Sequence, residues 1–224
     1  MAERSPTLAV RVWGPYACFS RPELKVERVS YEVMTPAAAR GALMAILWKP
    51  AIEWEIEAIE VHAPIEFFSI KRNEVGNRAG TPSADVIAGL APMPPFYIDD
   101  NRQQRVTLGL RDVDYVIRAH FTFTPLKGER DNLGKFLETF DRRVRKGQCF
   151  EPPFLGAREF AAHFGPPLPD RSPIPLTKPL GFMYHSRPRG NARAPARFFN
   201  AKLVDGVMRV PPFSQAEPAP EFTP

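Results

Sequence analysis

The chain has 224 residues, 44% of them hydrophobic, which is ample for one large domain or one domain with an appendage. Its formal net charge is +5 and its sequence pI is about 9.4. Arginine outnumbers lysine among the 30 basic residues, which suits bidentate contact with phosphate, so an anionic polymer is a reasonable partner. No apolar stretch follows MAERSP and no run approaches a membrane span, so neither a signal peptide nor a membrane role is expected. Cys18 and Cys149 have no companions at ligand spacing, which argues against a metal site and for a reducing cytoplasm.

In chain order, residues 8–13 (LAVRVW) alternate as a strand, with Leu8, Val10 and Val12 on one face and Arg11 and Trp13 on the other. Gly14-Pro15 is expected to break it. A charged loop follows, with Arg21, Lys25 and Arg28 near Tyr16, Phe19 and Tyr31. Thr35 is a helix cap and Pro36 a first-turn proline, so a helix runs over residues 37–48 and stops before Pro50. Leu43, Ile46 and Leu47 form its buried side. Arg40 projects beside Gly41, where a backbone or a phosphate has room to approach.

Residues 54–61 (WEIEAIEV) are a strand whose phase shifts, which predicts a bulge near Ala58. Residues 64–70 extend it as an arm. From 71 to 111 periodicity is lost, and the segment is an insertion too long for an ordinary connection. Residues 115–123 (YVIRAHFTF) are the clearest strand, with Tyr115, Ile117, Ala119 and Phe121 inward and Arg118 and His120 outward. Asp131 or Asn132 then caps a second helix. Its stripe is Leu133, Phe136, Leu137, Phe140 and Val144, and Gly147 ends it. Beyond a short strand after residue 160 the chain is rich in proline and arginine. It carries a strand over 180–185 and a hairpin on Asp205-Gly206; the tail from 211 is expected to be disordered.

The order is βαββαβ, the ferredoxin-like (RRM-like) α+β arrangement, in which both helices cover one sheet face. It would span residues 1–164 with the insertion at 71–111. A small β appendage over 165–211 and a tail over 212–224 follow. The free face would present Arg11, Trp13, Arg118 and His120 as an arginine-lined groove. No RNP aromatic signature is present, so a standard RRM is not supported.

Several segments together carry a family likeness: YACFSRPELKVERVSYEVMTPAAARGALMAILWKPAIEW, KRNEV, NRQQR, DVDYVIRAHF and GQCFEPPFLGAREF. They resemble the type I-C CRISPR-associated Cas-five proteins, the "d" subtype, nearly continuously over residues 8–160. The resemblance implies a RAMP-type ferredoxin-like fold with a C-terminal β appendage, and binding of the 5′ handle of CRISPR RNA. It also implies a place in the Cascade complex, against the large subunit and a backbone subunit. Target DNA would be met only through that complex. In this subtype it further implies metal-independent and cofactor-free cutting of precursor CRISPR RNA, by attack of a 2′-hydroxyl on the adjacent phosphate.

The family's catalytic tyrosine falls at Leu47 and its Lys-His pair at Lys135 and Phe136, so only Lys135 survives. Neither Leu47 nor Phe136 can move a proton. General acid–base help is worth about 10²–10⁴-fold per group, so cleavage is expected to be weak or absent. Tyr16, His163, Tyr184 and His185 are the other groups that could stand in for the missing base. The RNA-binding set is Lys25, Arg28, Arg40, Lys49, Arg72, Arg102, Arg105, Arg118, His120, Arg142 and Arg158. For His120 the plain alternative is a satisfied strand histidine.

Overall fold

A computed structural model describes residues 3–24, 26–188 and 194–218. The strands are Leu8–Ala17 (β1), Arg28–Val29 (β2), Ile52–Val61 (β3), Glu66–Val75 (β4), Arg102–Phe123 (β5), His163–Gly165 (β6), Lys178–Ser186 (β7), Arg197–Val204 (β8), Val207–Arg209 (β9) and Glu217–Pro218 (β10). The helices are Pro36–Ile46 (α1), Ala84–Ile87 (α2) and Leu133–Lys146 (α3), with single 3₁₀ turns at Asp99–Asn101 and Phe213–Gln215.

Both long helices start and stop by local chemistry. The Thr35 hydroxyl accepts the Ala38 N–H at 3.3 Å, and Pro36 opens the first turn of α1. The helix ends at Ile46, earlier than expected, because Leu47 turns extended and its carbonyl accepts the Trp54 indole N–H at 2.9 Å. The Asn132 side chain accepts the Lys135 N–H at 3.0 Å, and Gly147 closes α3 at φ 62°. Phe136, Phe140 and Val144 are the buried stripe of α3, as its period predicts.

The two helices share one core with Val10, Val12, Ile117 and Phe121, so they cover the same sheet face. Trp54 joins them, with its ring 5.0 Å from Phe140 and 5.4 Å from Phe121. The Arg143 guanidinium donates to the Ile46 carbonyl at 2.5 Å and ties α3 to the end of α1.

The sheet runs β10-β8-β9-β3-β5-β1-β6 in space, with β2 and β4 also on β5 and β7 on β8. Every pairing is antiparallel except the short β2–β5 contact. The register of β3 against β5 shifts between Ile56 and Ala58, where the bulge was expected.

Three sequence expectations are corrected. β1 does not break at Gly14-Pro15 but continues to Ala17. Pro15 is passed over in the ladder, which pairs Gly14 with Val113 and Tyr16 with Arg111. A Cβ on Gly14 would lie 2.7 Å from Leu155 Cδ1, so glycine is what lets the next segment pack close. Second, the stretch 71–111 is not without pattern. β4 and the first half of β5 pair from Glu66↔Arg111 to Val75↔Arg102 as a long ribbon. Most of β4 is exposed, so the ribbon has no fully buried face to write an alternation into the sequence. Asp112, at φ 51°, bends β5 where its partner changes from β4 to β3.

Third, the chain after residue 211 is ordered at least to Pro218. Ala216 is buried, Glu217 pairs with Phe198, and Arg197 donates to the Ala216 carbonyl at 3.2 Å. Residues 219–224 lie outside the described residues. The hairpin on Asp205 (φ 48°) and Gly206 (φ 76°) is as expected, and β9 pairs with β3, so the C-terminal strands extend the same sheet. Among the described residues no helix is long and apolar enough to cross a membrane.

Candidate nucleic-acid interface

The exit from α1 and the approach to α3 lie side by side at one end of the sheet. The Thr124 N–H donates to the Ala51 carbonyl at 2.9 Å and its hydroxyl to the Pro50 carbonyl at 2.6 Å, which draws the approach to α3 against the exit from α1. Lys135 is exposed there and donates to Asp131 at 2.9 Å. That bond, then the Gly128 N–H and more weakly the charges of Lys135 and Lys49, hold the Asp131 carboxyl below its ordinary range. Leu47 is 1% exposed and Phe136 4%, and both belong to the core. The Phe136 ring packs at 5.6 Å on Phe123 and 6.0 Å on Phe121. Hydrocarbon therefore fills both positions where the family resemblance placed proton-moving side chains.

The groups considered as replacements lie elsewhere. Tyr16 packs on Phe68 with its ring tilted, at 4.7 Å, and His163 stacks with Trp13 at 5.8 Å. Tyr184 packs on Phe198. His185 is engaged at both ring nitrogens, by Ser186 Oγ at 2.9 Å and the Pro211 carbonyl at 3.0 Å. Among the described residues no group of His, Cys, Asp and Glu stands together as a metal site.

The second face of the sheet is not a free basic groove, which corrects the expectation for Arg118 and His120. Arg118 pairs with Glu60. His120 lies 2.7 Å from Glu57 and 3.6 Å from Glu55, and is 7% exposed. Burial pushes the Glu57 carboxyl up. Hydrogen bonds from Thr7 and His120, and the charges of His120 and Arg4, outweigh burial and hold it low. Arg11 donates twice to Asp114, at 2.9 and 2.8 Å, and Arg171 pairs with the same carboxylate. The Arg11 bond raises its guanidinium above the ordinary value. The alternating glutamates of WEIEAIEV were the visible signal: β3 places Glu55 opposite His120, with Glu57 and Glu60 reaching His120 and Arg118 across the bulge.

The arm charges are also largely paired. Arg28 and Arg72 share Glu74 and Glu159, and Arg72 also donates to Thr107 at 2.8 Å. Arg102 pairs with Asp99 at 2.7 Å, and Arg105 bonds Gln103. Arg142 donates to the neutral Gln148 at 2.7 Å. Among the described residues Arg40, Lys49 and Arg158 make no hydrogen bond or ion pair from their side chains. Lys25 lies outside the described residues. The predicted set thus falls into three places: the arm with Arg158's loop, the α1–α3 junction, and Arg40.

Arg40 lines a cavity of about 420 Å³ between α1, β3, β7 and the segment after Val210. His185 and Phe213 are on its wall, their rings 5.8 Å apart. Burial, the largest influence, lowers the Arg40 pKa from its ordinary value; Tyr184 and Glu53 act the other way. Phe213 was missed because its partners are distant in sequence and no local pattern marks it. Next to Gly41 the expected close approach is absent: nothing lies within 4 Å of where a Cβ would stand.

These features define a mixed α/β protein with one large, mainly antiparallel sheet, helices on one face and a few unpaired cations outside a charge-neutralised second face. The model of the family described as CRISPR-associated protein (Cas_Cas5) matches residues 7–211. A protein of Mannheimia succiniciproducens named CRISPR pre-crRNA endoribonuclease Cas5d is 45% identical over 220 residues, covering 94% of this chain and 97% of the relative. One of Thermus thermophilus with the same name is 43% identical over 222 residues, covering 91% of each. Two solved structures, one titled as a CRISPR-associated protein and one a functionally uncharacterized Streptococcus mutans protein, share the fold. Their TM-scores are 0.70 and 0.69, each at 22% identity and covering 97% of this chain and 97% or 98% of the other. The chain belongs to the CRISPR-associated Cas5 family, in its type I-C branch, Cas5d.

Proposed function

We propose that this chain binds the repeat-derived 5′ handle of CRISPR RNA as a subunit of a type I-C Cascade complex, with weak or absent cutting of the RNA. The observation that carries the reading is identity of 43–45% over more than nine-tenths of the chain to relatives named for acting on precursor CRISPR RNA. The ferredoxin-like reading is supported by the path β1-α1-β3-β5-α3-β6 with spatial order β6-β1-β5-β3. In this reading the C-terminal strands extend the sheet, and the surfaces toward the large and backbone subunits lie outside the core described above.

Binding rests on the cations of the set that make no hydrogen bond or ion pair among the described residues, Arg40, Lys49 and Arg158, because a paired arginine must give up its partner before it can take a phosphate. Weak cutting rests on Leu47 and Phe136. Attack by a 2′-hydroxyl needs its proton removed and a proton delivered to the departing 5′-oxygen, and buried hydrocarbon supplies neither. Lys135 retains one role, stabilising negative charge on the phosphate.

The name of both relatives favours a second reading, a metal-independent processing endoribonuclease centred on Lys135. Its products would be a 2′,3′-cyclic phosphate and a 5′-hydroxyl. The first test is equilibrium titration of the purified chain with its repeat RNA, with a scrambled RNA of equal length and with duplex DNA. Preference for the repeat RNA is expected. Equal affinity for all three would overturn handle recognition.

A further inference from the structure

The cavity beside Arg40 carries an inference that rests on the RNA-binding reading and goes beyond it. Arg40 is half-buried, and among the described residues its side chain makes no hydrogen bond or ion pair. A guanidinium has five N–H donors and stays charged under all working conditions. Burying it without a partner is costly, and an anion in bidentate contact offsets that cost. Glu53 lines the same cavity and its charge acts on Arg40, but among the described residues no hydrogen bond or ion pair joins the two.

The rest of the wall is not what a bare phosphate would need. Phe213 is 38% exposed, a large aromatic ring left open to the cavity. His185 holds the Phe213 segment in place: Nε2 lies 3.0 Å from the Pro211 carbonyl and its ring meets Phe213 edge-on. That histidine is neutral, since burial and the Arg40 charge lower its pKa, so it serves as a fixed wall and not as a proton carrier. Glu55, with half of its side chain exposed, adds a hydrogen-bond acceptor to the lining. An anion site at one end, an aromatic face and an acceptor match a phosphate, a base and a base's N–H groups. The volume of about 420 Å³ falls within the range of small-molecule sites.

We propose that this cavity is a single-nucleotide subsite of the bound RNA, in which Arg40 takes a phosphate and Phe213 stacks on an unpaired base. The site forms between elements far apart in sequence, so it exists only in the folded chain and reads the RNA locally.

The experiment is an anisotropy titration of labelled repeat RNA at several salt concentrations, with thermal melts to check folding. The proteins are wild type, Arg40→Ala, Arg40→Lys, Phe213→Ala and Phe213→Leu. Arg40→Ala should weaken binding at least about 10-fold and shrink the salt slope by about 0.7–0.9. Arg40→Lys should restore the slope but not the full affinity, because it keeps the charge and loses the fork. Phe213→Ala should weaken binding by about 5- to 100-fold with the slope unchanged. Phe213→Leu and Arg40→Lys keep the test alive should an alanine variant unfold. Wild-type affinity and slope in all folded variants would overturn the subsite while leaving RNA binding intact. No binding by wild type would instead overturn the functional reading beneath it. Uridine monophosphate and inorganic phosphate form the other arm: the nucleotide should compete with RNA at millimolar concentration and phosphate more weakly. A mononucleotide that binds without being displaced by RNA would mark a free-nucleotide site and contradict the proposal.

Discussion

Replacing Phe136 with alanine separates a core position from a catalytic one. Phe136 is 4% exposed and touches two rings, Phe121 and Phe123, and the Lys127 ammonium sits 4.0 Å over the Phe123 ring as a lid. There is little room for the site to collapse, so the loss should fall well within the about 3–5 kcal/mol expected for such a truncation. Taking about 4 kcal/mol and about 2–4 °C per kcal/mol for a chain of this size, the melting temperature should drop by about 8–16 °C. Phe136→Leu keeps most of the volume and should lose roughly the ring-pair contribution, about 0.5–1.5 kcal/mol per pair. The neighbouring Lys135→Ala removes an exposed ion pair at the start of the helix and should shift the melt by no more than about 2 °C. The assay is thermal unfolding followed by circular dichroism. A Phe136→Ala shift no larger than that of Lys135→Ala would refute the claim that the family's histidine position is core in this chain.

Other consequences follow from the same contacts. Asp114→Asn should destabilise by about 3–5 kcal/mol, seen as a lower urea midpoint, because it strips the carboxylate from two arginines at a nearly buried site; RNA affinity should be unchanged. His185 is held neutral chiefly by burial, so its folded pKa lies below the unfolded one of about 6.5. Its stabilising effect is present above about pH 6.5 and is lost as pH falls through the folded value; His185→Gln should show a smaller loss of melting temperature between about pH 7 and pH 5 than wild type. Gly41→Ala should stabilise the free protein by about 0.5–1 kcal/mol, since the site is in an α1 turn with open space around it. If a partner backbone lies close there in the complex, the same variant should impair assembly while its melting temperature rises.

Much of the architecture was written locally. Thr35-Pro36, the Leu133 to Val144 stripe, the phase shift at Ala58 and the Asp205-Gly206 turn each act over a few residues, and each element forms where its pattern predicts. The arm was illegible because β4 is mostly exposed and so imposes no alternation. The candidate site was only partly legible, for a different reason. Arginine counts flag cations but not their neighbours: Arg118 and Arg72 read as phosphate contacts until Glu60 and Glu159 are placed beside them. Arg40 differs from them by what is missing around it, and only the fold brings Phe213 and His185 into view. Leu47 and Phe136 were legible as both departures from the family pattern and helix-stripe residues, and the structure places them in the core.

The most direct measurement is a single gel. Labelled repeat RNA is incubated with saturating protein in EDTA, and the mixture is resolved once under native and once under denaturing conditions, beside Lys135→Ala. The account predicts a retarded band on the native gel and intact RNA on the denaturing gel, the same for both proteins. Unretarded RNA, or a defined cut that disappears in Lys135→Ala, would contradict it.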